Sequence, residues 1–154
     1  MKQKAMFHEV PRYTCRLVRE AEPLMVRERS CSSFDDAARL FEGLRELPHE
    51  EVHVAYLNNI NEVIGYEVVS RGGAHGSVVS VADLFRGAIL ANARSFLMAH
   101  NHPSGDLKPS IDDVRTTESV KKACELLGLT MVDHVIITRT GAVSVLDGVA
   151  RRVT

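Results

Sequence analysis

Met98-Ala99-His100-Asn101-His102-Pro103-Ser104-Gly105, continued by Asp106-Leu107-Lys108-Pro109-Ser110-Ile111-Asp112-Asp113, is the stretch from which the rest of the chain can be read. It passes from an apolar run into two histidines one residue apart. A loop containing Pro and Gly follows, then a Ser and an Asp at helix-start spacing. If 96–100 is a strand, alternate side chains share a face, so His100 and His102 project the same way. Asp113, delivered by the first turn of the next helix, can add an oxygen. Two imidazole nitrogens and one carboxylate leave a fourth position open for water, the ligand pattern of catalytic rather than structural zinc. A plainer reading stands beside this one. Ser110 and Asp113 also fit a capping box, with Ser110 as N-cap and Asp113 reaching back.

Taken together, the residues run His-x-His, seven residues, Ser, two residues, Asp. This spacing resembles the JAMM motif of the JAB/MPN metalloprotease superfamily. The run His-Asn-His-Pro-Ser-Gly, with Pro109-Ser110 and Asp113 after it, is similar to the RadC family within that superfamily. Asp133-His134 followed by Val135-Ile136-Ile137 is similar to the same family's next strand. The resemblance extends from Glu50 to Ser144.

The resemblance implies a zinc ion (Zn2+) held by His100, His102 and Asp113. It implies that Ser110 donates a hydrogen bond to the oxyanion of an attacked carbonyl, and that an upstream Glu near the start of a core strand acts as general base. Two residues are candidates for that base. Glu51 heads a strand over 52–57 and is preferred; Glu67 lies in the returning strand. Two readings of His134 stay open, an outer partner that orients a metal ligand and a hydrogen-bonded histidine at a strand start. Asp106 reads as turn chemistry, and Asn101 and Ser104 as shaping the turn through local hydrogen bonds.

At 154 residues the chain is long enough for one domain with a core of its own. A formal net charge of -1 supplies no bulk attraction to nucleic acid. Three cysteines, Cys15, Cys31 and Cys124, are too few and too scattered for a disulfide framework or a thiolate zinc site. That usage fits a reducing cytoplasm. No stretch reads as a signal peptide or a membrane span.

The organisation follows from periodicity and punctuation. Residues 1–32 read as an N-terminal extension with weak strands at 13–18 and 24–26. Residues 33–150 read as the RadC-like domain. Ser33, with Asp36 three residues on, starts a helix whose apolar positions Phe34, Ala37, Ala38, Phe41 and Leu44 carry it toward Pro48. Residues 52–57 and 63–69 form a hairpin. Ser80, with Asp83, caps a second helix. Residues 93–98 read as a buried strand ending at the histidines. A helix over Ile111–Leu127 stops at Gly128, and strands at 130–137 and 143–146 follow, with 149–154 as a tail. His75, in the loop Arg71-Gly72-Gly73-Ala74-His75-Gly76, reads as surface.

This order predicts an α/β (α+β) fold with a single mixed β-sheet covered by helices. The resemblance implies the cytidine-deaminase-like, three-layer JAB/MPN version of it. The leading functional expectation is a JAMM-type zinc metallohydrolase that cleaves a peptide or isopeptide bond in a peptide or protein substrate through a metal-activated water. The alternative is a DNA-repair-associated accessory protein, or a protein-interaction module with a structural or vestigial metal site. The residues before Glu50 carry no helix-hairpin-helix pattern of the kind that precedes this domain in longer family members. Basic residues form no compact cluster beyond Lys121-Lys122 and Arg151-Arg152, so DNA is the weaker expectation.

Overall fold

The structure is a computed structural model that describes residues 10–26, 28–72, 79–147 and 150–151. Helix α1 (Phe34–Leu40) is followed by a 3₁₀ turn (Glu42–Glu46) and the antiparallel hairpin of β1 (Glu51–Leu57) and β2 (Val63–Arg71). Then come α2 (Val81–Leu90), β3 (Ser95–Asn101), α3 (Ile111–Leu127), β4 (Thr130–Ile137), β5 (Ala142–Ser144) and β6 (Ala150–Arg151). The strands make one mixed sheet in the order β2-β1-β3-β4-β5-β6. Among the described strands only β3 and β4 run parallel, and α3 makes the crossover between them. No helix among the described residues is long and apolar enough to cross a membrane.

Both faces of the sheet are covered, which gives the three layers that the resemblance implies. One apolar cluster joins Ala37, Ala38 and Phe41 of the α1 region to Ala55, Leu57, Leu97, Ala99, Val135 and Ile137. The other joins Leu84, Phe85 and Ala88 of α2 and Val120 and Cys124 of α3 to Val52, Val54, Tyr56, Phe96 and Met98. Every residue of β3 is buried. A central strand covered on both faces reads as a continuous apolar run rather than an alternating one, which is why Phe96-Leu97-Met98-Ala99 is apolar without alternation. Alternation still sorts the side chains. Leu97, Ala99 and Asn101 share one parity, and Phe96, Met98 and His100 share the other, beneath α2 and α3.

Several element boundaries differ from the sequence expectations, each for an identifiable reason. Residues 13–18 and 24–26 form no strand. Their apolar side chains are interleaved with charges and have no face to bury, and Tyr13 and Val18 are exposed. The pairing lies just beyond, at Ser30↔Glu62, where Cys31 N–H donates to the Asn61 carbonyl and Val63 N–H to that of Arg29. The first helix stops at Leu40 and tightens to 3₁₀ geometry, which stacks positions three apart. Phe41 and Leu44 both reach the core that way. Ser80 is the N-cap of α2 through its backbone, and its side chain makes no capping bond. In the segment read as a tail, Ala150–Arg151 pairs with β5. His75 lies outside the described residues.

Glycine is required for space at one point of this packing. Tyr56, 2% exposed, donates its hydroxyl to the Glu67 carboxylate directly under α2. A Cβ added at Gly87 would overlap the Tyr56 hydroxyl oxygen and Glu67 Oε1. A Cβ at Gly43, by contrast, would meet nothing within 4 Å. Gly87→Ala is expected to lose about 1–3 kcal/mol from overpacking in spite of alanine's better helix propensity. Gly43→Ala should leave stability nearly unchanged. Urea unfolding of the two variants checks this, and a Gly87→Ala protein as stable as wild type contradicts the packing described.

Candidate metal centre

His100 is the penultimate residue of β3, and its ring is 2% exposed. His102 lies one residue past the strand, yet its N–H still donates to the Ile137 carbonyl of β4 at 3.0 Å. The extended backbone therefore continues, and both imidazoles emerge on the α3 side. The chain then turns sharply. Gly105 N–H bonds the His102 carbonyl at 3.0 Å, and Gly105 takes φ +83, which glycine adopts without strain.

α3 starts with the capping box read from the sequence. Ser110 Oγ accepts from Asp113 N–H at 3.1 Å, and Asp113 Oδ2 accepts from Ser110 N–H at 2.7 Å. The box holds the Asp113 carboxylate against the histidines. His100 Nε2 lies 3.0 Å from His102 Nε2 and 3.1 Å from Asp113 Oδ1, and His102 Nε2 lies 3.5 Å from Asp113 Oδ2. Donors bound at ~2.0–2.1 Å to a tetrahedral zinc lie ~3.3–3.4 Å apart, so these separations match one face of such a coordination shell. Among the described residues, His100, His102 and Asp113 are the group of His, Cys, Asp and Glu side chains whose ligand atoms converge in this way.

Asp113 and His102 each favour the other's charged form. Burial alone would raise the Asp113 carboxyl, but hydrogen bonds from His100 and His102 outweigh it and hold the group far below the carboxylate range. The Asp113 hydrogen bond lifts His102 above its ordinary value against the opposing effect of burial, and the Asp106 carbonyl adds to the lift. His102 Nδ1–H donates to that carbonyl at 2.7 Å, so a neutral His102 turns its Nε2 lone pair toward the group. A divalent cation satisfies two such lone pairs and a carboxylate at once, and the donor set fits zinc.

Around these three sits a polar shell. His100 Nδ1 lies 2.8 Å from His134 Nε2, and His134 Nδ1 lies 2.6 Å from Thr117 Oγ1. Burial drives the His134 imidazole down to about 3. The outer-partner reading of His134 is thus the one the geometry matches. Asp106 and Ser104 serve the turn as expected, with Lys108 N–H on Asp106 Oδ1 at 2.9 Å. The contribution of the Asp106 carbonyl is not legible in the sequence. Ser110 stands at the exposed rim, where its oxygen accepts from Asp113 N–H and its hydroxyl adds a hydrogen bond to the Asp113 carboxylate.

The structure does not bring Glu51 to this group. Val52 pairs with His100 across β1 and β3 and shares its face. Glu51 therefore points to the α1 side, where Oε2 contacts His53 Nε2 at 2.9 Å and Oε1 contacts Arg71 Nε at 3.3 Å. Glu67 is on the right face, but it sits opposite Val54, further along the sheet, and is engaged by Tyr56. The carboxylate that lines the same cavity as His100, Asp113 and His134 belongs to Glu50. That cavity measures about 20 Å³, room for one water. Glu50 has the parity of Val52, and this is a signal only once the register with His100 is known.

Asn101 also departs from expectation. It points away from the turn and is 2% exposed. Its Oδ1 accepts from Glu51 N–H at 2.8 Å, and its Nδ2 donates to the His49 carbonyl at 2.9 Å and that of Leu47 at 3.3 Å. The residue between the two histidines thus clamps the backbone on both sides of Glu50.

Residues 31–150 match the family model described as the RadC-like JAB domain. A UPF0758 protein of Flavobacterium johnsoniae is 39% identical over 127 residues, which is 82% of this chain and 56% of that protein. One from Thermotoga maritima is 39% identical over 117 residues, covering 74% and 53% of the two chains. One from Carboxydothermus hydrogenoformans is 46% identical over 88 residues, covering 57% and 39%. The chain spans about half the length of the curated relatives it matches.

The cluster that holds Glu51 has a pH signature of its own. Burial lowers the His53 imidazole, and the neighbouring Glu51 only partly offsets it. His53 Nδ1 is also 2.6 Å from the Tyr66 hydroxyl. Above pH ~6.5 neither the folded nor the unfolded form carries the proton. As pH falls through that value the unfolded chain binds it first, so stability falls with pH by at most ~1.4 kcal/mol per pH unit for this group. His53→Gln should therefore lose less stability than wild type between pH 7.5 and 5. Parallel pH profiles for the two proteins, by thermal unfolding, would contradict the assignment.

Proposed function

Since the chain belongs to the RadC-like JAB domain family, we propose that it is a zinc-dependent hydrolase of peptide or isopeptide bonds, with the metal held by His100, His102 and Asp113. The observation that carries this reading is the convergence of three ligand atoms with a second carboxylate, Glu50, at a cavity with room for one water. A zinc ion bound there lowers the pKa of a water toward neutrality and polarises a carbonyl.

The remaining steps fall to the chain's own residues. Glu50 accepts the proton released as water attacks the scissile carbonyl and returns it to the departing amine nitrogen, so acid and amine leave with the proton balance closed. This role moves from Glu51, whose carboxylate lies across the sheet with His53 and Arg71. Asn101 holds Glu50 in place by bonding the backbone at Leu47, His49 and Glu51. Ser110 turns its hydroxyl proton from the Asp113 carboxylate to the oxyanion that develops on the carbonyl, and the same oxygen continues to cap α3. The capping and catalytic readings of Ser110 are compatible, because they use different valences of one hydroxyl.

The test is cleavage of a panel of peptides and isopeptide-linked peptides by the zinc-loaded protein, with new amino groups read by mass spectrometry. Glu50→Gln is expected to keep its zinc and lose about a hundredfold or more in rate. Glu51→Gln should stay within a few-fold of wild type. Absence of any cleavage by the zinc-loaded wild type contradicts the proposal, and full activity in Glu50→Gln removes Glu50 from it.

A further inference from the structure

We propose that Thr117 and His134 are positioning residues that set which ring nitrogen His100 presents to the metal, through a hydrogen-bond relay that begins and ends on Asp113. The inference rests on the metal reading above. Its physical content is the direction of three consecutive hydrogen bonds, and elementary valence settles each direction in turn.

The relay starts at the Asp113 main-chain carbonyl, which can only accept. Thr117 lies one helical turn further along α3, and its hydroxyl donates to that carbonyl at 2.7 Å. A hydroxyl has one proton, so at its 2.6 Å contact with His134 Nδ1 the Thr117 oxygen must accept. His134 therefore carries its proton on Nδ1. The ring is 2% exposed, and its hydrogen-bond partners are Thr117 and His100, neither of them an anion that would hold a second proton. Its Nε2 is accordingly a bare lone pair, and at 2.8 Å it must accept from His100 Nδ1–H. His100 then has its lone pair on Nε2, the atom 3.0 Å from His102 Nε2 and 3.1 Å from Asp113 Oδ1.

Asp113 acts at both ends of the relay, as a ligand through its carboxylate and as the terminal acceptor through its carbonyl. His102 reaches the same tautomer by a shorter route, a single bond from Nδ1–H to the Asp106 carbonyl. Both imidazoles are thus preset before the ion arrives. Each ring then turns Nε2 toward the ion's position, and fixing which nitrogen does so is the usual service of outer partners to metal-bound histidine. The buried polar Thr117 and His134 otherwise sit oddly between α3 and the sheet, beside a cluster that is apolar at Val120, Cys124 and Met98.

Zinc affinity measured by chelator competition tests the relay without recourse to activity. Thr117→Val keeps the shape and removes the donor, and it is expected to weaken zinc binding by about 10–100-fold. Thr117→Ser restores the hydroxyl and should bind within a few-fold of wild type. Nitrogen-15 spectra of the wild-type histidine rings give a second readout that needs no variant. His134 should be protonated at Nδ1 and bare at Nε2, with and without zinc. A folded Thr117→Val protein that binds zinc as wild type does, or a His134 ring protonated at Nε2, overturns the relay and leaves the metal site standing. A wild-type protein that binds no zinc overturns the metal reading as well.

Discussion

The capping box at the start of α3 fixes the carboxylate about which the centre is arranged. Ser110 and Asp113 exchange backbone and side-chain hydrogen bonds, as many helix starts do. The consequence here reaches beyond helix stability. With Oδ2 bound to Ser110 N–H, the Asp113 carboxylate cannot swing away, and Oδ1 is left facing His100. The Asp113 carbonyl meanwhile receives the Thr117 hydroxyl. The helix N-terminus favours negative charge at this position, so the fold supports the anion that a cation site requires. The atoms that cap the helix are the same ones that place a candidate metal ligand.

The second constraint is the register between β1 and β3. Val52 opposite His100 decides which face of the sheet each neighbouring side chain reaches. It sends Glu50 to the cavity side and Glu51 and His53 to the α1 side. Asn101, on the parity opposite to His100, fastens the entrance of β1 from behind. The strand that carries the histidines therefore contributes to both faces, His100 on one and a backbone clamp from Asn101 on the other. Burying His100, Asn101 and His134 in the central strands, and Thr117 of α3 against them, would be costly if any were unsatisfied. Each of them has a hydrogen-bond partner, and those partners are what orient the site.

Much of this could be read from the residues where the signal is local. The bounds Ile111–Leu127 follow from Ser110 at one end and Gly128 at the other, and Gly128 does take the left-handed conformation, φ +67. The His-x-His spacing specifies a shared face as soon as the backbone is extended. What could not be read depends on contacts distant in sequence. β1 is buried on both faces after its first residue, so its pattern carries no alternation from which to choose between Glu50 and Glu51. Asn101 looks like a turn residue because Pro103 and Gly105 follow, and its partners near Leu47 lie far back along the chain. Segments 13–18 and 24–26 have strand-like residues but no neighbour to pair with, and an isolated extended segment gains no ladder bonds.

The central claim is that His100, His102 and Asp113 form a divalent-metal site of the catalytic kind, and the metal content of the purified protein tests it most directly. Wild type and His102→Ala would be offered zinc at neutral pH, freed of excess ion and analysed for bound metal. The account predicts about one zinc per chain in the wild type, and its loss when one of three protein ligands is removed. No bound zinc in the wild type, or an equal amount in His102→Ala, would contradict it and return Ser110 and Asp113 to helix capping alone.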